Sequence, residues 1–221
     1  MSDSGWWIEI AFLAMLAGFI ALRLVSVLGR RTGHEKPVGD AFQGGRPEVA
    51  QPSPAVDLRP RGPVEIPADA DPASRDALQA IADADPGFEP NRFVDGAKAA
   101  YRMILESFWK GDDKALDDLV SDDVSLQFRR AIEAREADGL TFENKLIRVE
   151  RATIVAARLA GMMAEVTVRF DADIVAVTRD RDGAVVAGST SDAVQTHDVW
   201  TFSRHLGTAD PNWLLIETDA E

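Results

Sequence analysis

The chain has 221 residues, with 24 Lys and Arg against 37 Asp and Glu, for a formal net charge of −13. Such a balance excludes the broad basic face that nucleic-acid binding requires and argues against charge-driven adhesion to an anionic lipid surface. Without cysteine there is no disulfide framework, thiol nucleophile or thiolate metal site, and His34, His197 and His205 lack the spacing of a metal-ligating pair.

Trp6 to Leu28 reads WWIEIAFLAMLAGFIALRLVSVL. As a helix, this stretch spans roughly 34 Å, matching a hydrocarbon core of about 30 Å, and predicts a membrane anchor over residues 6–28 behind a short tail at 1–5. Trp6 and Trp7 fall at the level of an interfacial aromatic belt, and Phe12, Leu16, Phe19, Leu22, Leu24 and Leu28 supply lipid-facing bulk. Arg23, near the inner end, can extend its charged head to the interface. A cleaved signal peptide would place basic residues before the apolar run. Here MSDSG precedes it, and GRRTGHEK, with Arg30, Arg31 and Lys36, follows. The positive-inside rule then places the C-terminal bulk of this single-pass chain in the cytoplasm or in a topologically equivalent matrix. Ala14 with Gly18, and Ala17 with Ala21, form small-xxx-small pairs, for which an ordinary lipid-facing helix is the preferred reading.

Residues 29–73 are expected to form a disordered linker. Pro37 to Pro72 is rich in Pro, Gly, Ala and acidic residues and shows no apolar periodicity. A flexible chain of about 36 residues typically spans roughly 30–35 Å, which would hold a domain near the bilayer at raised local concentration.

Residues 74–221 read as a folded domain. A short helix carries Leu78, Ile81 and Ala82 behind a Ser74 cap and stops at Pro86-Gly87. A longer one, capped by Asn91, aligns Phe93, Ala97, Tyr101, Ile104, Leu105 and Phe108 on one face and ends at Gly111. A brief helix around Leu116, Leu119 and Val120 precedes a third long one, which starts after Ser121 and turns Val124, Phe128 and Ile132 inward. Beyond Gly139 the period changes to two. Strands are expected at Leu146–Leu159, at Ala164–Ala176 with its inward Val166, Val168, Phe170, Ala172 and Ile174, at Asp192–His205 with Val194, Trp200 and Phe202 inward, and at Trp213–Thr218. Gly161 and Asp182-Gly183 mark turns. Helices followed by antiparallel strands define an α+β domain, with N-terminal helices packed on a curved antiparallel sheet.

The segment DPGFEPNRFVDGAKAAYRMILESFWKGDDKALDDLVSDD resembles the start of a Tim-44-like domain, with its Gly111-Asp112 step and its short helix bearing Leu116 and Leu119. VTVRFDADIVAVTRDRDGAVVAG resembles that family's central hairpin. DVWTFSRHLGTADPNWLLIET carries Asp198, Trp200, Thr201, Phe202, Arg204, Pro211, Asn212 and Trp213 in the family's order. The resemblance runs from about Ser74 to Thr218. It implies a nuclear transport factor 2-like cone, and a role like that of the mitochondrial member, which tethers a chaperone to a protein-import channel. Its bacterial relatives are membrane-anchored adaptors of the same layout. The implied function is therefore an adaptor or scaffold at the cytoplasmic face of the inner membrane, serving protein translocation or membrane-protein biogenesis. Its partners would be other proteins, such as a chaperone or membrane-protein complex, together with the bilayer through the N-terminal helix. An Arg-rich transit peptide and a basic amphipathic helix ahead of the domain are both missing from this sequence.

No P-loop, dinucleotide fingerprint or nucleophile elbow is present, so neither a cofactor nor catalysis is expected. Asp198 shares a strand face with Trp200, and Arg204 is its expected ion-pair partner. His197 and His205 fall on the other face, and Tyr101 is expected to be a packed aromatic. The alternative is a cone pocket for a lipid or small apolar ligand, or a small-molecule enzyme on the same fold. Tyr101, Phe108, Val168, Phe170, Trp200, Phe202 and Trp213 are the residues placed to line such a pocket or groove.

Overall fold

The computed structural model describes residues 62–208 and 210–220, within one compact unit, Pro60–Glu221. The expected anchor at 6–28 and the linker as far as residue 61 lie outside the described residues. Among the described residues no helix is long and apolar enough to cross a membrane.

Four helices come first: α1 Arg75–Ala84, α2 Pro90–Lys110, α3 Asp113–Asp117 and α4 Asp122–Ala137. Their ends follow local chemistry. Pro90 opens α2, where its missing N–H costs nothing, and Gly111 closes it in the left-handed conformation (φ 74°). The Asp112 carboxylate caps α3 and the Ser121 hydroxyl caps α4, each accepting from a backbone N–H of the first turn. Two expected caps are corrected. Ser74 makes no side-chain cap, because a 3₁₀ turn at Pro72–Ser74 leads into α1 and Asp71 caps that turn. Asn91 lies inside α2 and instead donates to the Glu65 carbonyl (3.3 Å).

Five strands follow: β1 Thr141–Phe142, β2 Lys145–Ala160, β3 Met163–Arg179, β4 Val185–His205 and β5 Leu214–Ala220. They form one antiparallel sheet ordered β1-β3-β4-β5, with β2 beside β1 along the same edge of β3. The fold is α+β as expected. Along β3, the inward Ala164, Val166, Val168, Phe170 and Ala172 are all fully buried, so strict alternation translates into one dry face. Against that face pack Leu78 and Ile81 of α1, Ala97, Tyr101 and Ile104 of α2, and Val124 and Ile132 of α4.

β4 departs from expectation in two respects. It begins at Val185, directly after the Gly183 turn (φ 79°), rather than at Asp192. Between Gly188, opposite Val177, and Ala193, opposite Val175, its register slips, and Ser189–Asp192 bulge out. Val194, expected inward, is 58% exposed. It sits on the inner side of β4, but Trp200 and Phe202 are the residues of that side that lie buried under the helices.

The domain also begins before Ser74. Val64 and Ile66 are half-buried and Ala70 is 3% exposed. The Asp71 N–H donates to the Ile154 carbonyl on β2 (2.9 Å), and the Thr153 hydroxyl donates to Asp69 (3.2 Å). The stretch placed in the linker by its composition therefore lies packed on the domain from residue 64 onward.

Candidate functional site

The interior between helices and sheet is aromatic. Tyr101 of α2 stacks on Phe170 of β3 with ring centroids 4.4 Å apart and planes 16° apart, and it meets Trp200 of β4 at 4.6 Å. Phe202 continues the series, 6.4 Å from Trp200 and edge-on to Phe93 at 6.1 Å; Phe93 in turn meets Trp213 at 4.8 Å. Tyr101, Val168, Phe170, Trp200 and Phe202, read as a pocket or groove lining, come together as buried residues of the core. Trp213 is half-buried at one end, linked to Trp200 through Phe93 and Phe202, and touches Phe88 at 5.7 Å. Phe108 lies apart, packed on Phe128 of α4 at 5.0 Å and under the Arg135 guanidinium.

Inside this cluster the Tyr101 hydroxyl donates to Asp198 at 2.5 Å. Burial, rather than the hydrogen bonds it accepts, dominates Asp198 and raises its carboxyl above the ordinary carboxylate range. Tyr101 is held neutral first by burial and then by the neighbouring Asp198 charge. Tyr101 is therefore both a packed ring and a donor. Arg204 is not the partner of Asp198: its guanidinium meets Asp85, in the α1–α2 connection, at 2.8 Å and lies 5.9 Å from the Trp213 ring centroid. Both carboxylates are thus engaged.

The opposite face of the sheet is polar. Arg148 of β2 bridges Glu150 and Asp173, Glu150 accepts from Gln195 (3.3 Å), and Asp171 meets His197 (2.8 Å). Of these, Arg148, Glu150, Asp171, Gln195 and His197, with Arg151 and Val149, border an open groove across β2, β3 and β4. Reading the sequence alone missed this groove. Its only signal was the strand register that places Arg148 opposite Asp173 and Asp171 opposite His197, which a single strand's pattern does not reveal. His205 is exposed at the end of β4, its Nδ1 accepting from the Gly207 N–H. No cluster of three His, Cys, Asp or Glu that could hold a metal ion occurs among the described residues.

The outer edge of β4 is open over much of its length. β5 pairs only Asp198–Ser203, which leaves Val185–His197 without a strand neighbour on that side among the described residues. Val185, Val186 and Val194 are exposed along it, while the Ser189–Asp192 bulge, tied by hydrogen bonds from Ser189 to Asp192, interrupts it.

The domain is thus α+β, with a buried aromatic interior and a sheet whose β4 edge is partly unpaired among the described residues. Its family is defined by sequence: a family model described as the Tim44-like domain matches residues 74–220. The chain belongs to the Tim44-like domain family. It is also similar to the human mitochondrial import inner membrane translocase subunit TIM44, at 23% identity over 148 residues, covering 66% of this chain and 33% of that protein. The chain thus spans about a third of the length of that curated relative. Among solved structures, the intermembrane space region of the chloroplast protein ARC6 is similar at 13% identity with a TM-score of 0.36, covering 57% of this chain and 95% of that one. A conserved protein from Planctomyces limnophilus is similar at 16% identity with a TM-score of 0.33, covering 59% and 98%.

Proposed function

We propose that this chain is a membrane-anchored adaptor that binds other proteins through its Tim44-like domain. The observation that carries the reading is the family match over residues 74–220. It is supported by the name of the human relative, a subunit of a membrane protein-import translocase. The Trp6–Leu28 segment is the anchor, and Arg30 and Arg31 hold the domain on the cytoplasmic side of a bacterial inner membrane. The domain has a nuclear transport factor 2-like cone and works by binding, without catalysis or cofactor. The interior rings pack on one another and Asp198 is engaged by Tyr101, so recognition falls to the surface, and the open edge of β4 is one such surface. The partner is a chaperone or a membrane-protein complex engaged in translocation or membrane-protein biogenesis.

The test is affinity purification of the full chain from native membranes beside a control carrying only residues 1–61. Protein partners recovered with the full chain and not with the control are expected. Recovery of the same proteins with both would overturn the adaptor reading.

A further inference from the structure

The segment Gly62–Asp71 precedes the region matched by the family model, which begins at residue 74, yet it lies on the domain. Its Asp69 and Asp71 meet the outer edge of β2, the one not paired with β3, at Thr153 and Ile154, while its Val64 and Glu65 meet Gln79 of α1 and Asn91 of α2. Its attachment is sparse. A single backbone hydrogen bond reaches the sheet, from the Asp71 N–H to the Ile154 carbonyl. Three side-chain bonds add to it: Thr153 to Asp69, the Val64 N–H to Gln79 (3.0 Å), and Asn91 to the Glu65 carbonyl. Pro63 and Pro67 remove two N–H groups from the segment, and a turn closes at Pro67–Ala70, where the Ala70 N–H donates to the Pro67 carbonyl (3.1 Å), so it does not run beside β2 as a regular strand. Its apolar contact rests on Val64 and Ile66, both half-buried, and on the small Ala70.

We propose that residues 62–71 are a detachable strap, the resident occupant of a docking site for a proline-bearing segment of the same sequence, formed by α1, the start of α2 and the Thr153–Ile154 edge of β2. The strap guards a strand edge that would otherwise be open to another chain. Releasing it frees the Thr153 hydroxyl and the Ile154 carbonyl for an incoming segment of the same sequence, while the helices and the β2–β3 ladder stay in place. Because the strap is the stretch through which the N-terminal residues reach the domain, tension or competition there acts on this edge first. The inference does not depend on the adaptor reading.

Native-state hydrogen exchange on the full chain in detergent is the first measurement. The Val64 and Asp71 amides are expected to exchange at least about tenfold faster than those of Val166, Val168 and Phe170, and to do so independently of low urea, as local opening requires. Equal protection with the same urea dependence would make the strap an integral part of the fold and overturn the proposal. The second measurement uses a labelled synthetic peptide, GPVEIPADADPA, corresponding to residues 62–73. With the full-length double variant Val64→Ser and Asp69→Ala, anisotropy is expected to show binding at least about tenfold tighter than with the wild type, where the strap competes in cis. Equal or absent binding to a variant that retains its circular dichroism would overturn the proposal. If that variant fails to fold, the wild-type exchange pattern decides.

Discussion

The hydroxyl of Tyr101, in the middle of α2, lies 2.5 Å from the carboxylate of Asp198 on β4 and joins the longest helix among the described residues to the sheet inside an aromatic cluster. Replacing Tyr101 by Phe keeps the ring on Phe170 and removes the donor, leaving a largely buried acceptor less satisfied. Urea unfolding of Tyr101→Phe is expected to show a loss of about 1–3 kcal/mol. An unchanged midpoint would mean that the bond contributes nothing net.

The same carboxyl gives the fold a pH signature. Burial raises its pKa in the folded state above the unfolded value, so the fold takes up its proton more readily than the unfolded chain does. The corresponding stability is fully present below the unfolded value, about 3.9, and is lost as pH rises through the raised folded value. Asp198→Asn removes the ionisation and keeps an acceptor for Tyr101. Its stability relative to the wild type is expected to improve as pH rises above about 4, measured by urea titrations across that range. A pH-independent difference would rule out this role.

Arg204 and Asp85 form the second internal charge contact, with side chains only 14% and 13% exposed. Removing either leaves a poorly hydrated charge, and removing Arg204 also uncovers Trp213. A double-mutant cycle with Arg204→Met and Asp85→Ala is expected to give a coupling of about 1–3 kcal/mol, with little response to salt because the pair is screened from solvent. A coupling that vanishes in moderate salt would assign the pair to the surface class.

How legible these features were depends on how local their causes are. β3 could be read closely from Ala164 to Ile174, where one dry face imposes period two; beyond Val175 the register shifts and the strand runs on to Arg179, past the expected end at Ala176. Side-chain parity placed Val194 and Trp200 on the same side of β4, but parity gives the side and not the cover, and Val194 is 58% exposed while Trp200 is 4% exposed. The start of β4 was lost in Gly-Ser-Thr-Ser-Asp, which reads as a loop and is a bulge. Arg204 shares a face with Asp198, but six residues of strand span roughly 20 Å, beyond the reach of an ion pair. The actual partner, Tyr101, lies 97 positions away in sequence and leaves no local trace. The strap escaped notice because its Pro and acidic residues match a linker's composition, while its few apolar side chains pack on a core that lies far along the chain.

Two glycines of the β3–β4 hairpin separate backbone demand from space. Gly183 has φ 79° with open surroundings, whereas Gly188 has φ 82° and a Cβ there would fall 1.9 Å from the Ala176 carbonyl oxygen. Gly183→Asn, a residue tolerant of this conformation, is expected to cost less than about 1 kcal/mol. Gly188→Ala must both strain its own backbone and displace that of β3, and is expected to cost at least about 2 kcal/mol. Thermal unfolding of the two variants checks the order. Equal losses would mean that the bulge adapts freely, and the register shift between Gly188 and Ala193 would then not be fixed by the glycine.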